Sequence, residues 1–155
     1  MAGRGGLRSV VLGVDGSAHA RRAVAFLARL APPARGRVTV VSVVEPVRAP
    51  SMALLPAGVR GRLAGAAAAI EHDQLAAARR RAESAARALD KAGWRARASV
   101  RSGVPLAEIL ETVRREHADL LVLGARGTGG LDRLLLGSVA DGALKQAPVS
   151  VLIVK

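Results

Sequence analysis

The chain has 155 residues and carries 24 Lys and Arg against 12 Asp and Glu, a net charge of +12; half of it is apolar, with one Phe, one Trp, no Tyr and no Cys. That is the size of one ordinary domain with a substantial core. It excludes a disulfide framework and thiol chemistry, and charged residues interrupt every apolar stretch well before the ~20 residues a membrane span needs.

The basic opening MAGRGGLRSVVLGVDGS has only a short apolar run, closed by Asp15. That run is too short for a signal-peptide core, so the expected location is the cytoplasm. The positive charge raises nucleic acid as a partner. The basic residues are spread from Arg4 to Lys155, with Arg79-Arg80-Arg81 the densest run, and aromatic stacking platforms are lacking. The expectation is nonspecific adhesion to polyanions at low salt, and no specific nucleic-acid partner.

In chain order, residues 1–8 read as a flexible N-terminus and 9–155 as one domain. Ser9–Val14 (SVVLGV) is a continuously apolar run, as in a strand buried on both faces. After Asp15-Gly16-Ser17, with Ser17 as N-cap, residues Ala20, Val24, Leu27 and Ala31 recur at helical spacing until Pro32-Pro33. Arg37–Val44 is β-branched and apolar, a second strand. Glu45–Arg62, rich in Pro, Ala and Gly, reads as a loop with at most a short helical turn. From about Gly65 to Ala92 an Ala-rich helix carries Leu75, Ala78, Ala82, Ala85 and Leu89 on one face, and Gly93 closes it. Arg95–Arg101 alternates and reads as a strand near a sheet edge. Pro105 opens a helix carrying Leu106, Ile109, Leu110 and Val113. Ala118–Gly124 is a fourth buried strand, Ser138–Ala147 a last helix stopped by Pro148, and Val149–Val154 a fifth strand. Strand–helix alternation with continuously apolar strands predicts an α/β domain, a parallel sheet with helices on both faces.

In open α/β sheets, ligands sit beyond the carboxyl ends of the strands where the strand order reverses. Two such ends carry unusual chemistry: Val14-Asp15-Gly16-Ser17 after the first strand, and Gly124-Ala125-Arg126-Gly127 after the fourth. Gly124 and Gly127 are separated by two residues, and after nine more comes Gly137-Ser138 at a helix start. Glycines allow close backbone approach, and a helix N-terminus favours an anion. Leu131, Leu134, Leu135 and Leu136 are expected to pin the loop to the core. The natural guest is a phosphate, although glycines alone fit a surface turn equally well. The position after Gly129-Gly130 is Leu131, so no P-loop lysine is present, and the spacing is not that of a dinucleotide GxGxxG.

The pattern G-x2-G-x9-G-[ST], in a chain opening VVLGVDGS and closing APVSVLIV, resembles the universal stress protein family from about Ser9 to Val154. The resemblance implies a single three-layer domain, a five-stranded parallel sheet in order 3-2-1-4-5, and a homodimer. For the subset with the full glycine motif it implies ATP binding, with Mg²⁺ carried on the phosphates. By position, Asp15, preceded by Gly13 and Val14, matches the acidic residue at the base and ribose end, and Val43 the residue whose backbone reads adenine. Leu123, Gly124 and Gly127 match the wall along ribose and phosphates; Gly137, Ser138 and Val139 match the phosphate-binding helix start. Arg126, inside the loop, lies either within reach of phosphate or in solvent. Three positions depart from the family pattern: Ala125 where Ser is common, Ser42 where His is common, and Ala140 where Ser or Thr often stands. One lost hydrogen bond is worth about 0.5–1.5 kcal/mol, so the departures weaken phosphate contacts without abolishing binding.

Asp15, Ser17 and His19 are too close along one turn to form a hydrolytic triad, and read as a cap and a first-turn residue. His72 and His117, each isolated on a helix, make no metal site. Glu108 and Glu111 are expected to face solvent near Arg114 and Arg115. Val149–Val154 is too apolar for an uncovered edge strand, and pairing with its own copy is the expected cover. The function expected is a nucleotide-dependent stress or regulatory module with at most slow ATP hydrolysis. The alternatives are a ligandless dimer of the same family or, less in keeping with VDGSAHA after the first strand, an ATP pyrophosphatase or adenylyl transferase.

Overall fold

Five apolar segments pair side by side in a computed structural model that describes residues 7–46, 54–129 and 136–155. They are β1 (Ser9–Gly13), β2 (Arg37–Val44), β3 (Arg95–Ser102), β4 (Leu120–Gly124) and β5 (Ser150–Val154). All four pairings are parallel and the order is β3-β2-β1-β4-β5, as the family resemblance implies. Between them run α1 (Ala18–Arg29), α2 (Ala57–Lys91), α3 (Pro105–Arg115) and α4 (Ser138–Gln146).

β1 is buried along its whole length, which is why its five residues need no polar alternation. On one face Val10, Leu12, Val38 and Val40 pack with Ala20, Ala23 and Leu27 of α1 and with Ala82, Ala85, Ala86 and Leu89 of α2. On the other, Val11, Val41, Leu121 and Leu123 pack with Ile109, Leu110 and Val113 of α3 and Ala143 of α4. Alanine on α1 and α2 lets both helices lie close to the sheet. Trp94 is buried beside them, its indole N–H donating to the carbonyl of Leu27 at 3.1 Å.

Several boundaries differ from the sequence expectation for local reasons. α1 stops at Arg29 and Ala31 is exposed, because Ala31 precedes Pro32 and a residue there is pushed to extended backbone. β4 starts at Leu120, because the Ala118 N–H is taken by the carbonyl of Val113 in closing α3. The expected loop over Glu45–Arg62 is corrected from residue 57 onward; α2 begins directly after Pro56 and runs 35 residues, about 50 Å at the usual rise. Gly58, Gly61 and Gly65 are weak breakers, and a helix once nucleated gains a hydrogen bond per residue. Residues 47–53 of that segment, residues 1–6 of the N-terminus, and Leu131, Leu134 and Leu135 of the leucine bridge lie outside the described residues. Leu136, expected to anchor the bridge, is 40% exposed.

The helix ends follow backbone chemistry. Gly93 has φ +94°; its N–H donates to Asp90 and that of Trp94 to Leu89, so α2 ends in a left-handed glycine turn as expected. α3 ends with the same hydrogen-bond pattern, but the left-handed residue is His117, at φ +46°. His117 therefore sits in the closing turn of α3 rather than on a helix. Glu108 is also corrected: its carboxylate does not face solvent beside Arg114 but takes Arg101 of β3 at 3.0 Å, while Glu111 does pair with Arg114. At the amino ends of the strands, Asp119 accepts the N–H groups of Arg8 and Ser9, both at 2.9 Å, and Leu7 packs against the core.

Candidate functional site

The strand order reverses between β1 and β4, and both strands end in short turns at the carboxyl end of the sheet. Those turns are cross-linked. Asp15 leaves β1 and accepts the Ser17 N–H through Oδ1 at 2.9 Å and the Thr128 N–H through Oδ2 at 3.0 Å. Ser17 caps α1, accepting the Ala20 N–H at 3.0 Å, and its hydroxyl donates to the Arg126 carbonyl at 3.1 Å. One carboxylate and one hydroxyl thus hold the turn after β4 against the start of α1.

The glycines are required by these approaches. A Cβ on Gly124 would lie 2.6 Å from the His19 carbonyl carbon, and one on Gly127 would lie 2.7 Å from Asp15 Oδ2. A Cβ on Gly137 would come within 3.2 Å of Arg126 Cα. The sequence reading assigned the glycines to close approach of a ligand; their first effect is close approach of one loop to another. Ala125 belongs to the same clasp, its N–H donating to Val154 and its carbonyl accepting from Gly137, each at 2.8 Å. Its side chain is buried, which suits a methyl group.

Between the turns opens a cleft of about 620 Å³, within the usual range for a small-molecule site. All eleven residues singled out from the sequence line it: Gly13, Val14 and Asp15 from the end of β1, Val43 from β2, Leu123, Gly124, Arg126 and Gly127 from β4 and its turn, and Gly137, Ser138 and Val139 at the start of α4. α4 begins at Gly137 with no side-chain cap. By helix geometry the N–H groups of Ser138, Val139 and Ala140 then have no partner within the helix, and they carry the positive end of the helix dipole. Ala140 is buried and also lines the cleft. Ser42 does not; it lies inside the domain, and its hydroxyl makes no hydrogen bond among the described residues.

His19 stands half-buried on the first turn of α1, packed against Gly124. Desolvation, then the positive charges of Arg126 and Arg22, hold its pKa below the ordinary 6.5, against a smaller opposite pull from Asp15.

Sequence reasoning missed the third wall. Gln74, Ala77 and Arg81 of α2 line the cleft, with Glu45 after β2. No local motif marks them. The signal present was periodicity: 74, 77 and 81 step by three and four along a stripe beside the buried Ala78, Ala82, Ala85 and Leu89. Arg79 and Arg80 of the basic run are exposed, whereas Arg81 is not.

The fold and the cleft together define a doubly wound α/β domain with its ligand-type crevice at the switch point of the sheet. The universal stress protein family model matches residues 6–155. A universal stress protein from Thermus aquaticus, encoded in the 3′ region of a QAH/OAS sulfhydrylase, is 33% identical over 150 residues, covering 96% of this chain and 98% of its own. The chain belongs to the universal stress protein family. Among solved structures, MJ0577 of Methanocaldococcus jannaschii superposes with a TM-score of 0.80 at 19% identity, over 96% of each chain. The universal stress protein from Archaeoglobus fulgidus in complex with dAMP superposes with a TM-score of 0.61 at 21% identity, over 97% of this chain and 98% of that one.

Proposed function

We propose that this chain binds an adenine nucleotide in the cleft, ATP being the form its anion-binding end suits, and acts as a nucleotide-dependent regulatory module of the stress response. The observation that carries the reading is the convergence of two cross-linked turns on the uncapped start of α4. Three outward N–H groups and the helix dipole favour a phosphate there. The Ser138 hydroxyl adds a donor, and Arg126 supplies charge from the cleft wall. Val43 and the apolar end of β2 leave a less polar recess for a base, with Asp15 at the ribose. The dAMP held by the Archaeoglobus fulgidus relative belongs to the same chemical class.

Mg²⁺ enters this reading with the phosphates, keeping mostly water ligands. Among the described residues the carboxylates of the cleft are Asp15 and Glu45. Both Asp15 oxygens already accept main-chain N–H groups, so the carboxylate is engaged in bracing the turns. Hydrolysis in this reading is slow at best. The working form is a cytoplasmic homodimer joined through Val149–Val154, with occupancy of the cleft altering the dimer or a partner surface.

The expected result is saturable heat on titrating ATP into the purified protein, with a constant in the micromolar range. Ser138→Ala should weaken binding several-fold, the worth of one hydrogen bond. Gly127→Val should weaken it further, because the new side chain would collide with the Asp15 carboxylate and break its link to Thr128. Mass spectrometry of small molecules released on denaturing protein purified without added ligand should find an adenine nucleotide. No heat with any adenine nucleotide would leave the ligandless dimer, and a burst of pyrophosphate on mixing with ATP would indicate the pyrophosphatase or transferase alternative.

A further inference from the structure

We infer that Arg81 of α2 is a phosphate-contacting residue of the cleft, binding an anionic oxygen of the nucleotide; this rests on the nucleotide reading above. Two observations place it there. Its side chain lines the cleft and crosses directly over the turn after β1. Gly16, in the left-handed region at φ +88°, would bring a Cβ to 2.9 Å from Arg81 Cδ. Its Nε is also buried and makes no hydrogen bond among the described residues, nor does any described carboxylate stand within ion-pair distance of the guanidinium.

A buried guanidinium N–H without an acceptor is costly, and a guanidinium is a donor only, so the missing partner must be an acceptor. The nearby acidic groups do not fill the role: both Asp15 oxygens face main-chain N–H groups, and Glu45 makes no ion pair with Arg81 among the described residues. An anion that satisfies Arg81 gains charge-assisted hydrogen bonds and, from a fork of N–H groups, a directed geometry. In a cleft whose other wall is the start of α4, the anion that meets these requirements is a nucleotide phosphate. Gly16 itself is required by its left-handed backbone at φ +88°.

The test separates a phosphate contact from a base contact and from packing. Affinities of wild type, Arg81→Gln, Arg81→Lys and Arg80→Gln are measured by calorimetry for ATP, AMP and adenosine. Arg80 is exposed on the same helix, so its variant loses the same charge outside the cleft. Arg81→Gln should lose roughly tenfold or more for ATP and AMP and less than twofold for adenosine. Arg81→Lys should recover part of the loss, and Arg80→Gln should match wild type. Thermal unfolding of each variant, followed by circular dichroism, confirms a native fold under the conditions of binding. Unchanged ATP affinity in Arg81→Gln, or equal losses for adenosine and ATP, overturns the assignment while nucleotide binding stands. If wild type binds none of the three, the parent reading fails and the Arg81 assignment with it.

Discussion

Both oxygens of Asp15 accept main-chain N–H groups, and the two donors belong to different turns. The residue closing β1 is therefore a brace before it is a ligand contact, and it sets where Arg126, Gly127 and Thr128 stand. Ser42 is the opposite case: a buried hydroxyl with no partner among the described residues. Removing an unsatisfied polar group from an interior recovers its desolvation cost. Ser42→Ala should accordingly stabilise the fold by roughly 1 kcal/mol, read as a higher midpoint in urea; a lower midpoint would mean the hydroxyl is satisfied in solution. His19 carries the pH signature of the site. Its lowered pKa means that the folded chain binds fewer protons there than the unfolded chain in the window below 6.5. Stability then rises with pH through that window and falls on acidification. In an NMR titration the His19 ring should show a midpoint below 6.5 that moves up when phosphate charge binds beside Arg126, and a midpoint at or above 6.5 in the free protein would contradict this.

α2 shows how an element can be half core and half projection. All of its buried residues, Ala78 to Leu89, lie in its second half, while Gly58, Gly61 and Gly65 sit in the first with open space around them. An exposed helical glycine costs about 1 kcal/mol relative to alanine. Gly61→Ala with Gly65→Ala should raise stability by about 1–2 kcal/mol together and increase far-UV helicity, with no effect on nucleotide affinity. A loss of stability would mean that these residues are not helical in solution. The join between the two halves, at Gln74, Ala77 and Arg81, is where the helix passes the cleft. The same rod that covers one face of the sheet supplies the third wall of the site.

At the scale of the whole molecule the unresolved demand is at the edge of the sheet. β5 is an edge strand, and four of its five residues are apolar and only half-buried. β3, the other edge, carries Arg95, Arg97 and Arg101, charges that keep an edge from pairing. Association through β5 alone, as proposed above, would give a two-fold pair rather than a fibre. Sedimentation equilibrium should find twice the chain mass at micromolar concentration, and a monomer there would argue that residues flanking β5 cover it instead.

Period and punctuation in the sequence determined the strands, the four helices and the chain order of the two turns, because buried strands and amphipathic helices write their contacts into local residue spacing. Gly93 and Pro105 marked a helix end and a helix start for backbone reasons that act within a few residues. The family resemblance carried by SVVLGVDGS and by the spacing of Gly124, Gly127 and Gly137, rather than the spacing alone, named eleven residues that line one cleft. What the sequence left open was decided by contacts between distant segments. Gly-rich residues 57–65 became helix because they extend an existing one, Glu108 turned to Arg101 of a neighbouring strand, and Arg81 faced inward while Arg79 and Arg80 did not. Each depends on which surface another element presents, and that is set only once the sheet has assembled.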